Sequence, residues 1–141
     1  MGIREYNQSV FDAVISLWQK CKLIESVRNA TKDHLSTMSS RNKGLFLVYE
    51  DPSTKEIVGT VMGGWDGWRG WIYKLAVSPE HRRRGIGNEL VVAVSDGLRK
   101  TGAGIIRAYI EKENEASLGL FRELGFVPLD DFVIVTQGRQ Q

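Results

Sequence analysis

Residues 75–88 carry the residue types that point most clearly to chemistry. They read LAVSPEHRRRGIGN, in which a β-prone run is followed by three arginines, two glycines and the start of a helical pattern. The first turn of a helix has backbone N–H groups without intrahelical partners and the positive end of the helix dipole, so it attracts anions. Gly85 and Gly87 let oxygen atoms approach the backbone closely, and the arginines can neutralise phosphate. The segment therefore predicts a site for a phosphate-bearing ligand.

Two well-known phosphate loops do not fit this segment. The chain has no GxxxxGK[ST] sequence, which excludes a P-loop, and Leu90 stands where the dinucleotide fingerprint needs its third glycine. An isolated Arg-x-x-Gly-x-Gly sequence is equally compatible with a solvated turn or a small patch for nucleic acid. We do not expect nucleic acid, because a single basic run without surrounding aromatic side chains is weak support for it.

Several stretches of the chain resemble the GNAT superfamily of N-acetyltransferases. Residues 82–87, RRRGIG, match its R/Q-x-x-G-x-G/A loop, and residues 75–79 look like its fourth strand. Residues 114–126, which begin NEA and end FRELGF, resemble its N-x-x-A…Y-x-x-x-GF segment. Residues 58–64, VGTVMGG, are further similar to a small bacterial subgroup typified by YpeA. The resemblance covers nearly the whole chain.

The resemblance implies that the chain uses acetyl-CoA as a cosubstrate and needs no metal. It places a stretch of the fourth strand along the pantetheine arm, namely Leu75, Ala76 and Val77. It has the pyrophosphate held by the backbone amides of Arg83, Arg84, Gly85, Ile86, Gly87 and Asn88. Arg82 would add positive charge, and Asn114 would touch the pantetheine arm.

The catalytic residues are less clearly implied. Phe121 stands where the family's usual tyrosine gives a proton to the leaving thiolate, so we count Phe121 as a cofactor contact only. Trp71 stands where several members carry a glutamate that acts as the base. Other members place the base on the fifth strand near Tyr109, which makes Tyr109 our catalytic candidate. An ordinary strand tyrosine with a satisfied hydroxyl group is the alternative.

Hydrophobic periodicity predicts the elements that position these residues. Alternating or β-prone runs predict strands at 3–6, 45–50, 57–65, 68–77, 105–110 and 132–136. Apolar residues at spacings of three and four predict helices at 9–22, 86–100 and 115–123, with a short helix begun by Thr31 or Asp33. This order predicts an α/β fold with a mixed, mostly antiparallel central sheet flanked by helices, which is also the fold that the resemblance implies.

The dipeptide at residues 66–67, Asp-Gly, predicts a two-residue type I′ turn between two strands. In that register Trp65 pairs with Trp68, and Val61 pairs with Ile72. The alternation of side chains then places residues 62, 71, 73, 75 and 77 on one face of the sheet.

Length and composition limit the class of protein. The chain has 141 residues, 42% hydrophobic and 26% charged, which predicts one globular domain over residues 1–141. Its formal net charge of +2 is too small to indicate a polyanionic partner. Cys21 is the single cysteine, so no intramolecular disulfide forms. Since no apolar run approaches the roughly 18 residues of a membrane span, we expect a cytoplasmic protein without a membrane partner.

We therefore predict an N-acetyltransferase that moves the acetyl group of acetyl-CoA to a primary amine by direct attack. The acceptor is a small molecule or a protein N-terminus or lysine, and residues 25–42 are where we expect selectivity. A homodimer is left open. The alternative is an acyl-CoA binding module with weak or lost catalysis.

Overall fold

The computed structural model describes residues 2–23 and 30–138, which form a five-stranded sheet with helices on both faces. The strands are β1 (Ile3–Glu5), β2 (Phe46–Glu50), β3 (Ile57–Trp65), β4 (Gly70–Val77) and β5 (Ile106–Ala108). The α-helices are α1 (Phe11–Lys20), α2 (Lys32–Arg41), α3 (Ile86–Thr101) and α4 (Glu115–Glu123), with short 3₁₀ helices at Gln8–Val10 and Pro79–His81. The predicted fold class is confirmed.

The sheet runs in the order β1-β2-β3-β4-β5, and only the pairing of β4 with β5 is parallel. Two apolar clusters lie on its two faces. One joins α1 and α2 to the sheet and includes Val14, Trp18, Leu35, Phe46, Val48 and Met62. The other joins α3 and α4 to the sheet and includes Val61, Ile72, Leu90, Val94, Leu98 and Phe121.

Side-chain caps define where α2 and the first 3₁₀ helix begin. Thr31 accepts a hydrogen bond from the backbone N–H of His34 at 3.0 Å, which confirms the short helix predicted to begin near this residue. Asn7, rather than Ser9, accepts from the backbone at the start of the first 3₁₀ helix. No helix within the described residues is long and apolar enough to cross a membrane.

The turn between β3 and β4 is longer than the sequence predicted. Trp65 pairs with Gly70, not with Trp68, so four residues form the connection. The carboxylate of Asp66 explains the difference, because its Oδ1 accepts from the backbone N–H groups of Trp68 at 2.8 Å and Arg69 at 2.7 Å. An aspartate that caps the turn in this way replaces the two-residue form.

A bulge interrupts the pairing of β3 with β4. The register shifts between Thr60 and Met62, opposite an extra residue in β4 at Lys74, whose φ is +56°. The extra residue turns Leu75 and Val77 toward the cluster that α3 and α4 cover. The prediction that these two side chains share a face with Met62 is therefore wrong, because a single inserted residue reverses the alternation.

The strand predicted at residues 132–136 does not form. The segment has no regular secondary structure, and its Val133 and Val135 side chains are 85% and 86% exposed. The run is β-prone, but a strand forms only when it pairs with a neighbouring strand. The nearby strand β5 is three residues long and so offers only a short edge for pairing. Phe132 still lies close to this strand, with its ring 5.7 Å from the guanidinium carbon of Arg107.

Candidate active site

The segment predicted to bind phosphate lies between β4 and α3. Arg82 folds back on the strand, because its Nε donates to the carbonyl of Val77 at 3.1 Å. Arg83 and Gly85 then take left-handed conformations with φ of +66° and +81°. The helix begins at Ile86, and the three arginine side chains are exposed. We call residues 82–88 the arginine–glycine turn.

The two glycines of this turn have different surroundings. A Cβ atom at Gly85 would meet nothing within 4 Å, and its φ is one that L-residues rarely adopt. A Cβ atom at Gly87 would lie 2.9 Å from Cδ2 of Leu120, in α4. Gly85 thus supplies conformation and open space at the turn, whereas Gly87 lets α3 approach α4 closely.

The other predicted contacts occupy varied environments. Asn114 caps α4, since its Oδ1 accepts from the backbone N–H of Ser117 at 3.1 Å. Phe121 is 3% exposed and packs edge-on against Phe126 with ring centroids 5.0 Å apart. Ala76 and Ile86 are also buried, while Leu75, Val77 and Gly87 are half-buried and Asn88 is exposed.

Strands β4 and β5 separate at a definite point. Their last paired residues are Ile72 and Ala108, and the N–H of Tyr109 donates to the carbonyl of Ile72 at 3.0 Å. Strand β4 continues to Val77, so among the described residues it has no strand partner on this side from residue 73 onward. We call this opening the fork. It leads along β4 to the arginine–glycine turn.

A buried hydroxyl group holds the bulge next to the fork. Oγ1 of Thr60 accepts from Nε1 of Trp18 at 2.9 Å and donates to the carbonyl of Lys74 at 2.9 Å. Thr60 is 0% exposed and Trp18 is 1% exposed. The sequence carried no signal for this connection, because its three residues are far apart in the chain.

Three aromatic rings meet at the fork. The ring of Tyr109 packs edge-on against Trp71 and Tyr73, with centroids 5.5 Å and 5.2 Å apart. Burial raises the pKa of Tyr73, and the neighbouring Tyr109 and Asp66 raise it further. Tyr73 therefore remains a neutral phenol that can donate a hydrogen bond, while Tyr109 is 48% exposed and open to solvent.

A cavity of about 400 Å³ adjoins these rings, between α2 and the β3–β4 hairpin. It is lined by Met38, Asn42, Met62, Gly64, Trp65, Asp66, Trp71, Tyr73 and Lys74. We call it the acceptor-side pocket. Two of its residues, Met38 and Asn42, belong to the segment expected to confer selectivity, residues 25–42, of which 25–29 lie outside the described residues.

Polar contacts anchor the chain just before the arginine–glycine turn. Nε2 of His81 lies 3.1 Å from Oδ2 of Asp51, and both side chains are largely buried. Oε1 of Glu80 accepts from Oγ of Ser78 at 2.6 Å and lies 3.4 Å from Nζ of Lys20. These contacts, led by the hydrogen bond from Ser78, lower the pKa of Glu80 to about 2.

We expect the contribution of Glu80 to stability to vanish in acid. Its pKa is about 2 in the folded chain and 4.5 as a free group, so its stabilisation is present above pH 4.5 and is lost as the pH falls toward 2. Thermal unfolding of wild type and Glu80→Gln should show a gap in Tm at pH 7 that closes over this range. Glu123→Gln, which removes an exposed carboxylate elsewhere, controls for net charge. A gap that persists unchanged at pH 2 would contradict the assignment.

Residues 8–126 match the Acetyltransferase (GNAT) family, and the chain belongs to that family. It is an N-acetyltransferase, as the sequence predicted. The chain is similar to a protein of Pectobacterium atrosepticum named Acetyltransferase ECA0875, with 37% identity over 130 residues. That alignment covers 92% of this chain and 90% of the relative.

Solved structures share the fold at lower identity. The PaiA N-acetyltransferase of Thermoplasma acidophilum, solved in complex with coenzyme A, aligns with a TM-score of 0.73 and 16% identity over 92% of this chain and 91% of that chain. Naa20 of Chaetomium thermophilum, solved with a bisubstrate analogue, aligns with a TM-score of 0.72 and 20% identity over 89% of this chain and 70% of that chain. The mixed sheet with its flanking helices is thus the family's fold.

Proposed function

We propose that this N-acetyltransferase takes the acetyl group from acetyl-CoA and transfers it to the primary amine of an acceptor by direct attack. The observation that carries the proposal is the fork. A strand edge without a partner can hold an extended amide-containing arm, and this edge ends at an anion-attracting turn and helix. The acceptor-side pocket opens at the other end of the same strand.

The residues at the arginine–glycine turn fit the phosphates of CoA. Gly85 leaves open space beside the first turn of α3, where the backbone N–H groups of residues 86–88 have no intrahelical partners. Arg82, Arg83 and Arg84 are exposed around it and can neutralise the negative charge. We infer that the amides of residues 83–88 bind the pyrophosphate.

The pantetheine arm would lie in the fork, along Leu75, Ala76 and Val77. The carbonyl of Val77 points to this side, where Sγ of Cys21 and Nε of Arg82 both donate to it. Asn114 would touch the arm from the start of α4. Phe121 would provide an apolar surface in the core beneath the pantetheine arm, and its ring cannot act as an acid.

The chemistry requires the acceptor amine to be neutral. The thioester supplies an activated acetyl group, and an ordinary ammonium with a pKa of about 10.4 must lose its proton before it can attack. We propose that Tyr109 relays this proton to solvent from the fork. Backbone N–H groups near Ala76 and Val77 would stabilise the negative charge that develops on the carbonyl oxygen as the N–C bond forms. The C–S bond then breaks, CoA leaves as a thiolate, and the second proton of the amine nitrogen passes through water to that thiolate. Fixed placement of the two reactants supplies much of the rate.

An acyl-CoA binding module with weak or lost catalysis is the second candidate. It is favoured by one observation, that Phe121 is buried in the core and brings no hydroxyl group to the fork. The two candidates differ in turnover and not in CoA binding.

The test is thiol release from acetyl-CoA with a panel of primary amines. We expect turnover with at least one amine, and a fall in kcat of about tenfold in Tyr109→Phe, below the usual range of acid–base catalysis because water can partly replace an exposed hydroxyl group. Tyr49→Phe, on β2, is the matched control. Stabilisation by CoA without thiol release from any amine would favour the binding module, and an unchanged kcat in Tyr109→Phe would remove Tyr109 from the mechanism.

A further inference from the structure

The acceptor-side pocket has a carboxylate at its outer end. Oδ2 of Asp66 accepts from Nε1 of Trp71 at 3.0 Å, while its Oδ1 accepts from the N–H groups of Trp68 and Arg69. These hydrogen bonds, led by the one from the Arg69 backbone, lower the pKa of Asp66. The carboxylate is therefore charged at neutral pH and fixed in place.

The guanidinium of Arg69 forms no ion pair with Asp66 within 4.0 Å in the described part of the chain. Arg69 lies over the ring of Trp68, with 3.6 Å between its guanidinium carbon and the ring centroid. Its charge is the smallest of the influences on the pKa of Asp66. The carboxylate of Asp66 can therefore bind a positively charged group of a ligand at the outer end of the pocket.

The inner end of the pocket is the fork, about three strand residues away. Trp71, which holds Asp66, and Lys74, at the bulge, both line the pocket. Asp66 contacts the side chain of Trp71 at one end of the pocket, and Lys74 lies further along β4 at the other. Between them the walls are mostly apolar or aromatic, with Met38, Met62 and Tyr73, and Asn42 is also part of the lining. The ammonium of Lys74 at the inner end favours a neutral nitrogen there, which is the form that attacks. The pocket therefore has an apolar middle between a carboxylate and the reaction centre.

From this arrangement we infer that the acceptor is an elongated amine with two cationic ends and an apolar spacer. One nitrogen loses its proton and takes the acetyl group at the fork, and the other stays charged and binds the carboxylate of Asp66. The inference rests on the proposed function, because it requires the reacting amine to lie at the fork. A monoamine would gain nothing from the charge of the carboxylate, and an acidic acceptor would be repelled by it.

Aromatic walls suit this class of acceptor. The faces of Trp and Tyr rings attract ammonium groups, and here Trp71 lies beside the carboxylate itself. The volume of about 400 Å³ is near the lower end for small-molecule sites, which suits a single extended chain.

The experiment compares a series of linear α,ω-diamines with n-alkylamines of equal length, by kcat/KM for thiol release. Only a diamine long enough to reach from the fork to Asp66 can use the carboxylate, so we expect the series to pass through an optimum length. At that length the diamine should exceed the monoamine by about threefold, as an ion pair with an exposed carboxylate allows. A flat series, or monoamines equal to diamines at every length, would overturn the inference.

Two variants separate the carboxylate from its surroundings. In Asp66→Asn the side-chain oxygen can still accept from the turn amides, but the few-fold preference for the diamine should disappear. In Trp71→Phe the carboxylate stays but loses the indole N–H that orients it, so the preference should weaken by less than in Asp66→Asn. Glu123→Gln, the charge-matched control on α4, should keep the full preference. A preference that survives in Asp66→Asn would overturn the assignment.

The outcomes distinguish this inference from the proposed function. Turnover of monoamines and diamines alike would leave the N-acetyltransferase proposal intact while rejecting the role of Asp66. Stabilisation by CoA without turnover of any amine would instead reject the proposed function, whatever the state of residue 66.

Discussion

Gly85→Val is expected to weaken CoA binding by about 100-fold or more, because the new side chain would fill the open space where phosphate oxygens approach the turn. Two charge-assisted hydrogen bonds lost at about 1.5 to 3 kcal/mol each account for at least that factor. The variant should lose stability as well, by about 1 to 2 kcal/mol, since φ at this position is +81°.

Gly44→Val separates backbone strain from ligand binding. Gly44 has φ of +78°, and a Cβ atom there would also meet nothing within 4 Å. It lies between α2 and β2, away from the arginine–glycine turn. We expect the two variants to lose similar stability, while only Gly85→Val loses affinity for CoA by calorimetric titration. Wild-type affinity in Gly85→Val would place the phosphates elsewhere.

The arginine–glycine turn shows what the sequence could predict. Its strand, turn and helix were predictable because local propensities and spacing carry that information. Spacing could not show that the two glycines have different surroundings. The neighbour of Gly87 is Leu120, which belongs to α4, a helix much further along the chain. Such contacts depend on tertiary packing, which no local pattern encodes.

The acceptor-side pocket was largely beyond local prediction. Its shape depends on the bulge at Lys74 and on the four-residue turn that Asp66 caps. An Asp-Gly dipeptide favours a two-residue turn, but the side chain of Asp66 satisfied two backbone N–H groups and lengthened it. Neither event changes the hydrophobic pattern, so the strands were predicted and their register was not.

Thr60→Val is expected to destabilise the chain by about 2 to 4 kcal/mol, although the two side chains have nearly the same shape. The substitution leaves the indole N–H of Trp18 and the carbonyl of Lys74 without their shared partner in a buried region. Leaving a buried polar group unsatisfied costs about 1 to 3 kcal/mol. For a domain of this size we expect a fall in Tm of about 10 °C.

Thr60→Ser is the matched variant, because it keeps the hydroxyl group and removes only a methyl group, at a cost of about 1 kcal/mol. If the hydroxyl group holds the bulge at Lys74, then Thr60→Val should also raise the KM for acetyl-CoA, and Thr60→Ser should not. The reason is geometric: the bulge sets the path of β4 along the fork, so a strand that regains regular pairing would move the edge that the pantetheine arm needs. Equal Tm and equal KM in the two variants would show that packing alone, and not the hydrogen bonds of Thr60, keeps β4 in this shape.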